Sequence, residues 1–149
     1  MTDSTATEMD AIEIADFLET QRTGVLSLAK DDDGYAIPVS FVYDDAGPHV
    51  YLRLGFAPGS QKRKYLDETA HGSFVVYDET DEGWKSVVVE GTFEELSSST
   101  LDSAILEAVN SLEIPFLSVH KRPVDDTQFT IVRMTITTVN GLLEGKSKR

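Results

Sequence analysis

The sequence predicts a mainly β protein, a six-stranded antiparallel barrel with one helix before the strands and another before the last strand. Strand-like runs follow one another with turns or a short helix between them. Apolar and polar residues alternate within several of these runs, which is typical of half-buried strands. We find neither a βαβ rhythm nor an internal repeat, and 149 residues are expected to form a single domain over 1–149.

The first element is predicted to be an amphipathic helix that Thr7 caps. Its apolar stripe consists of Ala11, Ile12, Ile14, Ala15 and Leu18. A second, short helix is predicted over 60–68, with Tyr65 and Leu66 facing inward. A third helix opens in the serine-rich stretch 97–100 and carries its apolar face on Leu101, Ile105, Val109 and Leu112.

Strands are predicted over 25–29, 35–43, 49–54, 73–78, 84–93 and 128–139, with turns at 32–34 and 44–48. Phe74 and Val76 are expected on one side of the fourth strand, and Val75 and Tyr77 on the other. The run 87–89 is apolar on both faces, which favours a central position for the fifth strand. Asn140-Gly141 predicts a turn after the last strand, and residues 145–149 are expected to fray.

Pro38 lies inside the second predicted strand. A proline cannot donate a hydrogen bond to a neighbouring strand, so its nitrogen is expected to face an edge, a bulge or a ligand.

The composition is strongly acidic, with 26 Asp and Glu against 13 Lys and Arg and a net charge of -13. Such a charge excludes nucleic acid as a partner and suggests adaptation to high salt. The chain has no cysteine and no long apolar run. We therefore expect no disulfide, no membrane span and a cytoplasmic location.

A basic island interrupts this acidity, because residues 46–66 contain no acidic side chain. The cations in and beside its helix are Arg53, Lys62, Arg63 and Lys64. Pro58-Gly59-Ser60 is a helix-start signal, and helix N-terminal N–H groups with nearby cations favour one phosphate group. The alternative is that the island only offsets surrounding carboxylates.

No nucleophile–base pair and no metal-ligand spacing stand out, and His49, His71 and His120 are far apart in sequence. Catalytic residues are therefore not assigned, and no metal is expected. If the protein is an enzyme, a cofactor supplies the chemistry. Its phosphate would lie near Ser60 and Lys62 and its ring against the strand with Pro38.

Five ordered fragments resemble the pyridoxamine 5′-phosphate oxidase-like family, whose members are FMN-binding split β-barrels. The fragments are Gly-Val-Leu-Ser at 24–27, Ile-Pro-Val-Ser-Phe-Val-Tyr at 37–43, Val-Tyr-Leu-Arg at 50–53, Gly-Ser-Gln-Lys at 59–62 and Ser-Val-Val-Val-Glu-Gly at 86–91. The resemblance covers residues 8–95 well and implies a homodimer with FMN at the subunit interface.

The resemblance also implies which residues contact the flavin. The phosphate contacts it implies are Ser60, Gln61, Lys62 and Arg53. It places the backbone of Pro38, Val39 and Ser40 against the flavin ring, and it places Ser86 at a further ring contact. Gln61 replaces an arginine of the family's phosphate segment, and Arg53 is expected to supply the missing cation, with Arg63 as the second candidate.

Two departures change the expected substrate. Ile37 and Val42 stand where the oxidase proper has an arginine and a lysine. The resemblance therefore favours a flavin-dependent oxidoreductase acting on a small molecule other than pyridoxamine phosphate. The alternative is a binding module without turnover that holds flavin, the deazaflavin F420 or haem, with one of the three histidines as the haem ligand.

Overall fold

The computed structural model describes residues 6–56, 61–97, 99, 101–112 and 128–145. Three helices lie among the described residues, namely α1 (Ala11–Thr20), α2 (Gln61–Glu68) and α3 (Ser103–Asn110). The strands are β1 (Ala6–Glu8), β2 (Thr23–Lys30), β3 (Asp33–Asp44), β4 (His49–Phe56), β5 (His71–Thr80), β6 (Gly83–Leu96) and β7 (Gln128–Gly145). No helix in these ranges is both long and apolar enough to span a bilayer.

Six of the strands close into a ring in the order β7-β4-β3-β2-β5-β6, because β6 also pairs with β7. Every pairing is antiparallel. The predicted antiparallel barrel is therefore confirmed. The described residues contain a seventh strand that the sequence did not predict: β1 pairs with the end of β7, beyond the part that pairs with β4.

The core fills the inside of this ring through strict alternation along the strands. Phe41 and Phe74 are fully buried and meet edge to face, with ring centroids 5.0 Å apart. Val76 is buried beside Phe74 on the inward side of β5, whereas Tyr77 is exposed. The predicted division of β5 into two faces is thus confirmed.

The beginning of α1 differs from the prediction. Asp10 is the N-cap, and it exchanges hydrogen bonds with Glu13 in a capping box. Thr7 instead lies in β1 opposite Leu143, so the predicted cap is wrong. The apolar stripe also shifts, because Phe17 is buried with Ile14 and Leu18 while Ile12 is exposed.

The ends of two other elements also differ. Helix α3 begins after Asp102, whose side chain caps it, and not in the serine-rich stretch. Val109 near its end and Leu112 just after it are buried, in agreement with the predicted apolar face. Strand β7 runs through Asn140-Gly141 without a turn, because Gly141 pairs with Val87 of β6. Residues 146–149 lie outside the described residues.

Candidate functional site

Strand β3 carries three of the predicted flavin-contacting residues. Pro38 is exposed and pairs with Val25 of β2, while the described β3–β4 register begins only at Ser40, opposite Arg53. In the described part of the sheet, Pro38 therefore has a strand partner on one side alone. This agrees with the expectation that the proline nitrogen faces an edge. Val39 points into the core and is buried.

Ser40 lies in an unusual environment for a small polar side chain on the outer side of a sheet. Alternation with the buried Val39 and Phe41 turns its side chain outward, yet it is only 1% exposed. Helix α3 packs against β3 and β4 on this side of the barrel. The structure thus brings Ser40 and Arg53 together on a covered wall.

Arg53 contacts the end of α3. Its Nη1 donates to the backbone oxygen of Leu112 at 3.1 Å and to that of Asn110 at 3.4 Å. A guanidinium group in this place satisfies carbonyls that a helix end leaves unpaired, and it complements the negative end of the helix dipole. Arg53 therefore attaches α3 to the barrel, a contact that sequence reasoning missed because 57 residues separate Arg53 from Asn110.

Helix α2 is fixed against the β2–β3 hairpin. The ring of Tyr65 stacks on Tyr35 of β3, with centroids 4.9 Å apart, and Leu66 is buried, so the predicted inward residues are confirmed. Just after the helix, the hydroxyl of Thr69 accepts the N–H of Ala29 at 3.1 Å. These contacts fix the position of the whole helix relative to β3.

The predicted phosphate segment falls at the start of this helix. Gln61 and Lys62 form the beginning of α2, and Ser60 lies outside the described residues. The first N–H groups of a helix have no partner within it, so the start of α2 has the donors that an anion needs. The phosphate contacts remain predictions.

Ser86 is not close to the other predicted ring contacts in the same chain. It lies on β6, three strands from β3 in either direction around the six-stranded ring. Its partners in register are Tyr77 on β5 and Leu142 on β7. One flavin ring cannot touch both Pro38 and Ser86 of one subunit, because these residues lie on opposite walls of the barrel.

The surroundings of Ser86 are apolar and exposed. We call this surface the outer apolar patch; its residues are Tyr77, Trp84, Val88 and Leu142, which are 60%, 50%, 41% and 41% exposed. All four side chains project from the outer side of β5, β6 and β7, with Ser86 in the middle. Strand β6 is central, as predicted, but the described residues leave the outer side of its 87–89 run uncovered at Val88.

A cleft of about 490 Å³ opens beside Ser40. Its lining comes from the end of α1 and the start of β2, from β3 between Ser40 and Tyr43, and from the end of α3. We call it the α1–α3 cleft. Its volume lies within the range of small-molecule sites. The sequence did not predict it, because its three segments are distant along the chain.

Hydrogen bonds hold two side chains in the lining of this cleft. The hydroxyl of Tyr43 donates to Asp45 at 2.8 Å. Burial and this bond raise the pKa of the Tyr43 phenol, and the nearby Glu19 carboxylate acts in the same direction. Nη1 of Arg22 donates to the backbone oxygens of Glu19 at 3.3 Å and Gln21 at 3.2 Å.

The histidines take separate positions. The ring of His49 packs edge to face on Tyr51, and Nε2 of His71 lies 3.2 Å from the Thr137 hydroxyl. His120 lies outside the described residues. Across the ranges that the structure describes, no three His, Cys, Asp or Glu side chains are grouped so that they could hold a metal ion.

Comparison with known proteins gives the class of this barrel. The family model described as pyridoxamine 5′-phosphate oxidase matches residues 10–142. The chain belongs to the pyridoxamine 5′-phosphate oxidase family. A search of the curated proteins finds no match.

Solved structures resemble the whole chain. A FAD-binding protein from Mesorhizobium loti is 24% identical with a TM-score of 0.69, over 97% of this chain and 100% of that one. The FAD-binding protein from Mycobacterium smegmatis is 21% identical, TM-score 0.64, over 94% and 100%. The FAD and haem binding protein from the same organism is 18% identical, TM-score 0.62, over 96% and 74%. At these identities the likeness establishes the fold.

Proposed function

We propose that this protein binds FMN and acts as a flavin-dependent oxidoreductase on a small molecule other than pyridoxamine phosphate. The observation that carries the proposal is the segment Pro38–Ser40 of β3. Among the described residues, Pro38 is paired on one side only, and the segment lies in the hairpin against which α2, the helix proposed to hold the phosphate, is fixed. Membership of the family and flavin-binding neighbours of the same fold support it.

Bound FMN would supply the hydride chemistry, because a flavin itself carries out such transfers. The role of the chain is then to bind and orient the cofactor. The backbone of Pro38, Val39 and Ser40 would lie against the ring. The start of α2 with Ser60, Gln61 and Lys62 would hold the phosphate, with Arg53 as a further cation.

The site is proposed to be completed by a second copy of the chain. Ser86 lies on the wall of the barrel opposite Pro38, so it reaches a flavin on Pro38 only from another subunit. The outer apolar patch around Ser86 provides the kind of surface that is covered in an assembly. A two-fold dimer would place each patch over the flavin of its partner and form two identical sites.

Two uncharged residues in β3 favour a substrate different from that of the oxidase proper. Val42 lines the α1–α3 cleft, where the oxidase proper has a lysine according to the family resemblance. Ile37 packs against the core, so it brings no charge to an anionic substrate. An anionic substrate therefore lacks two of the expected cations.

The absorption spectrum of the purified protein tests this proposal directly. We expect a flavin band, release of FMN on denaturation identified by mass, and bleaching of the band by a reduced nicotinamide. A flavin band that no reductant or acceptor turns over would support the binding module instead. A Soret band would assign haem, and release of a deazaflavin would assign F420.

The phosphate contacts are tested by the double variant Arg53→Ala with Lys62→Ala. We expect FMN affinity to fall by about 3–6 kcal/mol, because two charge-assisted contacts are lost at ~1.5–3 kcal/mol each. Titration of the apoprotein with FMN at low salt measures it. Lys30→Ala is the control, because Lys30 lies on β2 and pairs with Glu68 at 4.0 Å. An unchanged FMN affinity would remove both residues from the site.

A further inference from the structure

We propose that the α1–α3 cleft binds the second reactant of the flavin and selects a neutral or cationic molecule with hydrogen-bond donors over an anionic one. This inference rests on the proposed function, because the cleft serves a reaction only if a flavin lies on β3. The charge preference itself is a property of the cleft and is measured separately.

The position of the cleft is the first argument. Ser40 belongs both to the segment proposed to face the flavin ring and to the lining of the cleft. A molecule in the cleft therefore lies beside that segment. A volume of about 490 Å³ accommodates a ligand of one or two rings.

The charges around the cleft are the second argument. Glu19 belongs to the lining and its charge acts on Tyr43, whose hydroxyl donates to the Asp45 carboxylate at 2.8 Å. Burial is the largest cause of the upward shift of the Tyr43 pKa, the Asp45 hydrogen bond follows, and the charges of Asp45, Glu19 and Asp44 add to it. Three carboxylates thus make the potential negative at this end of the cleft.

The backbone adds to this negative potential. The C-terminal ends of both α1 and α3 lie at the cleft, and a helix C-terminus carries a partial negative charge. The two nearby cations are engaged with these ends: Arg22 donates to Glu19 and Gln21 carbonyls, and Arg53 to those of Asn110 and Leu112. Arg22 also belongs to the lining, and its bonds direct Nη1 to the end of α1, which reduces the positive charge that it offers to an anion.

Two hydroxyl groups in the lining indicate which hydrogen bonds a neutral ligand can form there. Ser111 lines the cleft and donates to the Ala108 oxygen at 2.7 Å, so its own oxygen is left to accept. The Tyr43 oxygen is in the same position, because its hydrogen is directed to Asp45. Acceptors in the lining favour ligands that donate.

Three probes of one shape test the charge preference: benzamidine, benzyl alcohol and benzoate. Binding is measured by ligand-observed NMR at low ionic strength, on the protein alone and after addition of FMN. We expect benzamidine to bind at least tenfold more tightly than benzoate, with benzyl alcohol between them. We also expect benzamidine to perturb the flavin absorption band, because it lies beside the flavin-facing segment.

Two variants localise the effect. Glu19→Gln removes one charge from the lining and is expected to lower the benzamidine-to-benzoate ratio about three- to fivefold. Asp16→Asn is the matched control, because Asp16 lies on the same helix but outside the lining of this cleft. If both variants lower the ratio equally, the preference comes from the net charge of the whole protein and the inference fails.

The other outcomes separate this inference from the proposed function. Tighter binding of benzoate, or no binding of any probe, overturns the inference even where the flavin band is present. A benzamidine preference that Glu19→Gln reduces, in a protein that never takes up flavin, upholds the charge preference and removes the proposed function together with the role of second reactant.

Discussion

Two outer walls of the same barrel are covered in different ways. The wall formed by β3 and β4 is covered by α3, which Arg53 attaches through two backbone oxygens, and Ser40 beneath it is only 1% exposed. On the wall formed by β5, β6 and β7, the described residues leave the outer apolar patch uncovered. Around Ser40 the first wall is covered within the chain, whereas Pro38 on the same strand stays exposed. The second wall has the properties of a surface that another molecule completes.

The composition makes this difference informative. A chain with a net charge of -13 has many carboxylates, yet it groups four exposed apolar side chains on one wall. Glu79 and Glu144 flank Trp84 at the edge of this patch in the sheet register. An apolar centre with a charged rim is the usual anatomy of a protein interface.

The largest effect is expected from a charge in the patch. Trp84→Lys should shift the proposed dimer to monomers, because an aromatic side chain that becomes buried at an interface contributes about 2–4 kcal/mol and a lysine there must lose its hydration. Sedimentation at several protein concentrations measures the association. Ile12→Lys is the matched control, because Ile12 is 72% exposed on α1 and lies outside the patch.

The same pair of variants also shows whether the second wall of one subunit contacts the first wall of another. If Trp84→Lys dissociates the dimer and lowers flavin content while Ile12→Lys does neither, the patch completes the cofactor site. A dimer that survives Trp84→Lys unchanged would show that the patch is not its interface.

Strand β2 lies between the two walls, and a substitution at its Gly24 tests how tightly it packs. Gly24 on β2 has no room for a side chain, because a Cβ would lie 2.5 Å from the ring of Phe74 and 2.8 Å from the Val75 oxygen. Gly24→Ala should lower the free energy of unfolding by about 1–3 kcal/mol, as overpacking does. Urea denaturation measures it.

Gly34 provides the comparison on the neighbouring strand. A Cβ at Gly34 meets nothing within 4 Å, so Gly34→Ala is expected to be neutral or slightly stabilising. Equal destabilisation by both substitutions would mean that backbone freedom, and not the contact with Phe74, determines the effect.

The sequence was sufficient for the barrel because its signals are local. Alternation in β5 separates Phe74 and Val76 from Tyr77, and each inward side chain is buried as that pattern predicts. Local signals failed where a distant partner decides. Asn140-Gly141 is a turn signal, but pairing of Gly141 with Val87 keeps β7 extended.

The site was predictable only in part, for the same reason. Pro38 was singled out by its missing N–H, and the family resemblance added Val39 and Ser40; among the described residues, Pro38 pairs with β2 alone. The contact from Arg53 to the end of α3 and the α1–α3 cleft depend on segments brought together by the fold. A valine run gave no sign that Val88 lies in an exposed patch, because periodicity does not tell core from interface.

The smallest expected effect concerns Tyr43 at the edge of the covered wall. Its pKa is raised in the folded protein, by burial and by the Asp45 bond. The neutral phenol therefore stabilises the fold below its ordinary pKa of about 10, and this contribution is lost as the pH rises above that value. Between pH 9 and 11 the wild-type chain should lose more stability than Tyr43→Phe, which has no phenol to ionise. Urea unfolding at each pH measures the free energy of unfolding of both proteins. If the two plots of free energy against pH are parallel, the Tyr43 hydroxyl ionises as easily in the folded chain as in the unfolded one. This edge of the cleft would then be less negative than its carboxylates imply.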